Sequence, residues 1–195
     1  MAGSKGSEPR RAIWRRQLRA IALLPATVAL AVPAVLVVAY GAEPGLGLPA
    51  PAWLAPIAAG AALIAAGLRL WWQTIRLFVE VGQGTLAPWD PPRRFVARGP
   101  YRRLRNPMIS ALGAVLLGEA LLLGSLAILV FFGGFAVVNA IYIPALEEPA
   151  LRRRFGVEYE RYRRVVPRWI PRGAAREWRE ADSPNNGLAN RRRGP

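Results

Sequence analysis

Two polar segments of this chain carry residue types that can bind a ligand or move a proton. The first, GPYRRLRNPMI from Gly99 to Ile109, places three arginines and an asparagine ahead of Pro107. The second starts with Glu147-Glu148 and is followed by FGVEYERYRRVVPRWIP, which is rich in arginine and tyrosine. The chain has no cysteine and no histidine, which excludes disulfides, thiolate nucleophiles, the usual zinc sites and the commonest general base. Any chemistry must therefore use arginine, carboxylate, tyrosine, asparagine and backbone groups.

Each of these two segments has a structural explanation as well as a chemical one. Pro107 suits the first turn of a helix, and Asn106 before it is a favourable N-cap whose side chain can satisfy a free backbone N–H. Glu147 and Glu148 are equally favourable near a helix start, where the helix dipole attracts negative charge. They could also hold a cation or hydrogen-bond a ribose, and the spacing does not decide between these possibilities.

The residues between the two segments predict a membrane hairpin. Met108–Leu146 carries a single charge and is interrupted at Gly124-Ser125 and at Gly133-Gly134, which indicates two antiparallel helices. The first, Met108–Leu123, would be about 24 Å long, less than the roughly 30 Å hydrocarbon core of a bilayer. The hairpin would bring its two polar ends to one side of the membrane, where they would form a shared pocket.

The single charge of the hairpin is Glu119, within the first predicted helix. An ionised carboxylate inside a bilayer is costly unless it is paired or hydrated. We therefore expect Glu119 to face the interior of the bundle, either in contact with a substrate or close enough to the Gly124 turn for water to reach it.

Two further apolar runs complete the predicted membrane domain. Ile21–Tyr40 is free of charge over about the 20 residues that a spanning helix needs, and Trp53–Leu68, with its continuation to Trp72, is a second span. Arginines precede the first span, crowd the connection after the second and recur in the tail after Glu148, whereas Gly41–Pro51 has no basic residue. This pattern predicts that both termini are cytoplasmic. The predicted fold class is all-α: a polytopic membrane bundle of about four helices, with a cytosolic C-terminal helix over Ala145–Arg164.

The net charge of +15 is explained by the same topology, because the basic residues lie where membrane insertion retains them. We therefore expect contact with membrane lipids and neither a nucleic acid nor a metal partner. Tryptophans near the span ends, Trp71 and Trp72 among them, are expected to be interfacial anchors. The predicted organisation is a basic lead over residues 1–19, a membrane domain over 20–171 and a disordered, arginine-rich tail over 172–195.

These motifs resemble those of a known family. The segment from about Gly82 to Pro171 is similar to the isoprenylcysteine carboxyl methyltransferase and phospholipid methyltransferase superfamily of integral membrane enzymes. The similarity rests on a loop ending in G-x-Y, on R-[HN]-P at a helix start, on E-E after a hairpin, and on F-G-x-x-Y-x-x-Y followed by V-P. The matching residues are Gly99-Pro100-Tyr101, Arg105-Asn106-Pro107, Glu147-Glu148, Phe155-Gly156, Tyr159, Tyr162 and Val166-Pro167.

The resemblance implies a methyltransferase that uses S-adenosylmethionine, bound in a cytosol-facing pocket formed by residues 82–109 and 145–171 and closed by the C-terminal segment. It implies a membrane-associated lipid or small molecule as the methyl acceptor, and a location in the inner membrane of a bacterium. By position, the implied cofactor contacts are Arg93, Phe95, Val96, Tyr101, Arg105, Asn106, Pro107, Met108, Ile109 and Glu147.

Three positions depart from the pattern of the eukaryotic enzymes. Asn106 stands where they have a histidine but can still hydrogen-bond, and Ile109 stands where they have a tyrosine, whose hydroxyl it cannot replace. Ile143 stands where the prenylcysteine enzymes hold the substrate carboxylate with an arginine, which argues against prenylcysteine as the acceptor. A carboxylate acceptor would need no base, whereas an amine or thiol would have to shed a proton, for which the candidate catalytic residues are Glu148, Glu119 or a tyrosine. The alternative is a non-enzymatic accessory or sensor protein that keeps the same scaffold.

Overall fold

A computed structural model describes residues 25–77 and 97–171 of the chain. The basic lead, the connection that contains Arg93, Phe95 and Val96, and the C-terminal tail lie outside the described residues, so the expectations for them stay predictions. Within the described ranges all regular structure is helical. The helices are α1 (Val32–Tyr40), α2 (Leu54–Leu77), α3 (Pro107–Leu123), α4 (Leu126–Tyr142) and α5 (Glu148–Val165).

Three helical stretches of the described residues are long and apolar enough to cross a membrane. They are Thr27–Gly47, Leu54–Leu77 and Leu126–Val165, and the apolar part of the last is α4. Helix α3 is apolar as well but has only 17 residues, as the sequence predicts. Large apolar side chains such as Val38, 88% exposed, point away from the bundle, where lipid rather than water suits them. The prediction of an all-α integral membrane bundle is confirmed.

Helices α2 and α3 pack closely because small residues line their contact. A Cβ atom placed on Gly60 would lie 2.6 Å from the carbonyl oxygen of Gly118, and one placed on Gly67 would lie 2.7 Å from that of Ala111. No larger side chain fits at either glycine without moving backbone, so the two helices touch almost backbone to backbone. Both pairs follow one antiparallel register, and the same register places Trp71, one turn beyond Gly67, opposite Pro107.

The first membrane helix begins with a π turn, Thr27–Ala31, and continues directly as α1. It crosses α3 where Ala29 packs against Leu112 and Val115, and Phe135 of α4 closes the same cluster. Ala29, Leu112 and Val115 are all buried, so this contact forms the core between three membrane segments.

The hairpin between α3 and α4 turns at Gly124-Ser125, as the sequence predicts. Gly124 adopts a left-handed conformation with φ of 59°, and the hydroxyl of Ser125 accepts a hydrogen bond from the N–H of Ile128 to cap α4. The predicted interruption at Gly133-Gly134 is wrong, because both glycines lie inside α4. A break there would leave backbone N–H and C=O groups unpaired in lipid, which favours an unbroken helix.

Candidate active site

The two motif segments meet at one end of the bundle, which we call the basic end. The guanidinium of Arg105, just before α3, donates from Nη1 to Oε1 of Glu148, the first residue of α5, at 2.7 Å. The side chain of Glu148 is 4% exposed and that of Arg105 is 12% exposed. An ion pair so well covered holds the start of α3 against the start of α5.

Glu148 serves a second arginine at the same oxygen atom. Arg168, which follows α5, donates from Nε to Oε1 of Glu148 at 2.8 Å. One carboxylate therefore holds two guanidinium groups, from Arg105 and Arg168. The sequence alone does not reveal Arg168 as a site residue, because its 20-residue separation from Glu148 has no helical periodicity that would predict contact.

A short segment, which we call the strap (residues 166–169), lies across the first turn of α3. The backbone N–H of Arg105 donates to the carbonyl of Pro167 at 2.9 Å, and the hydroxyl of Ser110 donates to the carbonyl of Trp169 at 3.2 Å. Val166 anchors the strap from below, being 1% exposed and packed in one cluster with Tyr159 and Tyr162. The strap and the Glu148 pairs thus attach the end of the described chain to the beginning of α3.

Two tyrosines of α5 support the loop before α3. The hydroxyl of Tyr162 donates to the carbonyl of Tyr101 at 2.7 Å and also lies 3.4 Å from that of Leu104. Tyr159 packs at a ring-centroid distance of 6.1 Å from Tyr162 and hydrogen-bonds Arg105. Both tyrosines are 2% exposed, so the F-G-x-x-Y-x-x-Y motif works in this chain as a buried support for the polar loop.

The adjacent carboxylates Glu147 and Glu148 lie in different environments. Pro144 has no N–H to give to the helical ladder, and Ile143–Glu147 forms a π turn in which the N–H of Glu148 donates to the carbonyl of Ile143. The wider turn changes the direction in which the next residues point. Glu148 turns inward to the arginines, while Glu147 stays half-buried beside the phenol of Tyr101. Burial, and then the charge of Glu147, raise the pKa of Tyr101 well above its ordinary value, so Tyr101 is a neutral phenol.

The expected N-cap bond of Asn106 is absent. Asn106 occupies the N-cap position of α3 and its carbonyl accepts the N–H of Ser110 at 3.1 Å, but its side chain makes no cap hydrogen bond to the helix. The carboxamide of Asn106 is therefore not used by the helix, whose first residue, Pro107, is fully buried.

The remaining predicted contacts follow from the same helix start. Met108 and Ile109 are half-buried in the first turn of α3, and Met108 packs against the cluster formed with α1. Ile143, at the position where the prenylcysteine enzymes carry arginine, is 1% exposed inside the bundle.

Glu119 does not join this group. It lies twelve residues after Pro107 on α3, about 18 Å along the helix axis. Its Oε2 atom is buried and has no hydrogen-bond partner among the described residues. Glu119 is thus half-buried with one oxygen covered, near the Gly124 turn and far from Glu148.

Trp71 does not behave as the interfacial anchor that the sequence suggests. Its neighbour Trp72 is 54% exposed, whereas the indole Nε1 of Trp71 is buried. Trp71 lies on the same face of α2 as the buried residues Gly60, Gly67 and Thr74. This helical periodicity is a sequence signal that predicts an inward position for Trp71.

Comparison with known proteins agrees with the motif. A family model described as phospholipid methyltransferase matches residues 55–158, which is more than half of the chain. The chain belongs to the phospholipid methyltransferase family. No curated protein matches it. The match spans α2, α3, α4 and the first part of α5, and so contains both Arg105 and Glu148.

Members of the phospholipid methyltransferase family are membrane enzymes that use S-adenosylmethionine. In this member, the supports of the polar loop extend beyond the matched residues. Tyr159, Tyr162 and the strap all follow position 158, yet they hold Tyr101 and Arg105 in place. The basic end is therefore completed by residues that the family match does not cover.

Proposed function

We propose that this protein transfers a methyl group from S-adenosylmethionine to a lipid or small molecule that reaches the basic end from the bilayer. The observation that supports this most is the Arg105–Glu148 pair, because it joins the two halves of the motif within 2.7 Å. A ligand held there would lie at the N-terminal end of α3, beside apolar membrane helices that can admit a lipid-like acceptor.

The residues at the basic end fit the proposed methyl donor. The carboxylate of Glu147 can accept hydrogen bonds from ribose hydroxyls, and the carboxamide of Asn106, which the helix does not use, can both donate and accept. Met108 and Ile109 provide apolar surface for a purine ring. We propose these four residues, with Tyr101, Arg105 and Pro107, as the described part of the cofactor site. Arg93, Phe95 and Val96 remain proposed contacts from the connection outside the described residues.

When bound, S-adenosylmethionine supplies an electrophilic methyl group on a sulfonium. The protein's part is to align the acceptor with that group and to exclude water, and both can be achieved without an acidic or basic side chain. Glu148 is suited to positioning Arg105 and Arg168, because its Oε1 atom already accepts hydrogen bonds from both guanidinium groups. Glu119 lies too far along α3 to reach a methyl group at Asn106. For an amine or thiol acceptor, the half-buried carboxylate of Glu147, beside Tyr101, is a proton acceptor at the basic end.

The test is methyl transfer by purified protein in lipid nanodiscs with isotopically labelled S-adenosylmethionine. Label in the lipid extract supports a lipid acceptor, and label in a volatile or water-soluble product supports a small molecule. Glu147→Gln should abolish both cofactor binding and transfer, while Glu158→Gln, a change at an exposed carboxylate on α5, should leave both intact. Wild-type protein that gives no binding heat and no labelled product would refute the proposal.

A further inference from the structure

Buried polar atoms without a hydrogen-bond partner indicate which complementary groups a ligand would supply. Among the described residues, four buried side-chain atoms have no hydrogen-bond partner. Three of them are N–H donors, namely Trp71 Nε1, Arg102 Nε and Arg105 Nε, and the fourth is the Glu119 oxygen near the opposite end. Native proteins rarely leave such donors unsatisfied, and sites that await a ligand are a recognised exception.

All three donors belong to the basic end. Trp71 lies opposite Pro107 by the register of the α2–α3 contact. The turn Gly99–Arg102 packs on the same end of α2, where a Cβ atom on Gly99 would lie 3.7 Å from Cδ2 of Leu77. Arg105 follows three residues later, directly before α3. The donors therefore come from two helix ends and the loop between them.

Several protein acceptors nearby are already used by other donors. Oε1 of Glu148 takes Arg105 Nη1 and Arg168 Nε, and the carbonyl of Pro167 takes the N–H of Arg105. The carbonyl of Tyr101 takes the hydroxyl of Tyr162. Three buried donors at the basic end thus have no hydrogen-bond partner, and two of them belong to cationic side chains.

We propose that Trp71, Arg102 and Arg105 form an oxyanion site that receives a carboxylate or a phosphate of the reactants. Guanidinium Nε–H groups and an indole N–H are donors only, so they recognise acceptor oxygens and reject a cationic or donor-rich group. This inference rests on the proposed function and adds two residues, Trp71 and Arg102, that are not among the implied cofactor contacts. Two reactants can supply the oxyanion: S-adenosylmethionine carries a carboxylate, and a phospholipid acceptor carries a phosphate.

Two variants remove one donor each with little other change. Trp71→Phe deletes the indole N–H and keeps an aromatic ring, and Arg102→Lys deletes the Nε–H and keeps the positive charge. Their matched controls are Trp72→Phe and Arg103→Lys, which alter the adjacent, exposed residues of the same types. Thermal unfolding of all four proteins in detergent verifies that each variant is folded.

The first arm compares two forms of the methyl donor by calorimetry. If the oxyanion is the carboxylate, Trp71→Phe and Arg102→Lys should each weaken S-adenosylmethionine binding by about tenfold, as expected for hydrogen bonds to a charged group. Decarboxylated S-adenosylmethionine should bind wild-type protein more weakly and should be insensitive to both variants. The control variants should bind both compounds like the wild type.

The second arm uses short-chain phosphatidylglycerol against short-chain diacylglycerol, which lacks the phosphate. If the oxyanion is the phosphate, the two variants should weaken binding of the phospholipid alone and leave binding of the methyl donor unchanged. If neither variant differs from the wild type in its affinity for S-adenosylmethionine or for the phospholipid, the oxyanion site is refuted. Absence of methyl-donor binding by the wild type would instead refute the proposed function, and the second arm would still decide the oxyanion site.

Discussion

Arg105 and Glu148 are separated by 43 positions in the sequence, yet Nη1 of the first lies 2.7 Å from Oε1 of the second. The hairpin of α3 and α4 makes this possible, because it carries the chain away from the basic end and returns it there. Since Glu148 also binds Arg168, one carboxylate connects the start of α3, the start of α5 and the strap.

Replacement of Glu148 should be among the most damaging single changes. Glu148→Gln would leave the guanidinium groups of Arg105 and Arg168 without their shared anion, and loss of one partner from a buried ion pair costs about 3–5 kcal/mol. We expect a clear fall in the thermal unfolding temperature in detergent, with Glu158→Gln as the control. A double variant with Arg105→Gln should lose less than the sum of the two single losses. Strictly additive losses would contradict the coupling.

The hydroxyl of Tyr162 should matter for the polar loop rather than for the membrane helices. Tyr162→Phe leaves the buried carbonyl of Tyr101 without its donor, which costs about 1–3 kcal/mol. We expect weaker binding of S-adenosylmethionine, measured by calorimetry, because Gly99–Arg102 would no longer be held against α5. Tyr142→Phe, at a tyrosine that is 47% exposed on α4, is the control. Equal affinities for the two variants would show that the loop needs no such support.

The α2–α3 contact should tolerate no added methyl group. A Cβ atom on Gly118 would lie 2.7 Å from the carbonyl oxygen of Gly60, so Gly118→Ala must push the helices apart, at a cost of about 1–3 kcal/mol. Gly133→Ala adds the same methyl group to α4 where nothing lies within 4 Å, and it should be neutral or stabilising. Unfolding temperatures of the two variants provide the measurement. A Gly118→Ala protein as stable as Gly133→Ala would contradict the close packing.

The raised pKa of Tyr101 predicts its behaviour in alkaline solution. Burial and the charge of Glu147 both disfavour the phenolate, so Tyr101 should stay protonated while ordinary tyrosines titrate near pH 10. The rise in tyrosinate absorbance between about pH 9 and 11 should therefore be unchanged by Tyr101→Phe in folded protein. A fall in that rise equal to the absorbance of one tyrosine would show that Tyr101 titrates normally.

The sequence by itself determined the membrane helices, the turn at Gly124-Ser125 and the family to which the motifs belong. Hydropathy and helix breakers are local properties, and lipid forbids unpaired backbone, so long apolar runs specify helices with few alternatives. The same rule explains the one wrong boundary: the glycines at 133 and 134 would be strong breakers in water but remain helical in α4. The R-N-P and E-E motifs, likewise, can be recognised without knowing where their side chains point.

Only the tertiary structure decided how the site residues divide their tasks. The π turn at Ile143–Glu147 sends Glu148 toward two arginines and leaves Glu147 beside Tyr101, and a pair of identical neighbours contains no signal for that choice. The α2–α3 register likewise turned Trp71 inward, although its position near a span end resembles that of an anchor. These outcomes depend on helix rotation and on contacts between residues distant in the chain, and both are set by packing of the whole bundle rather than by any local segment.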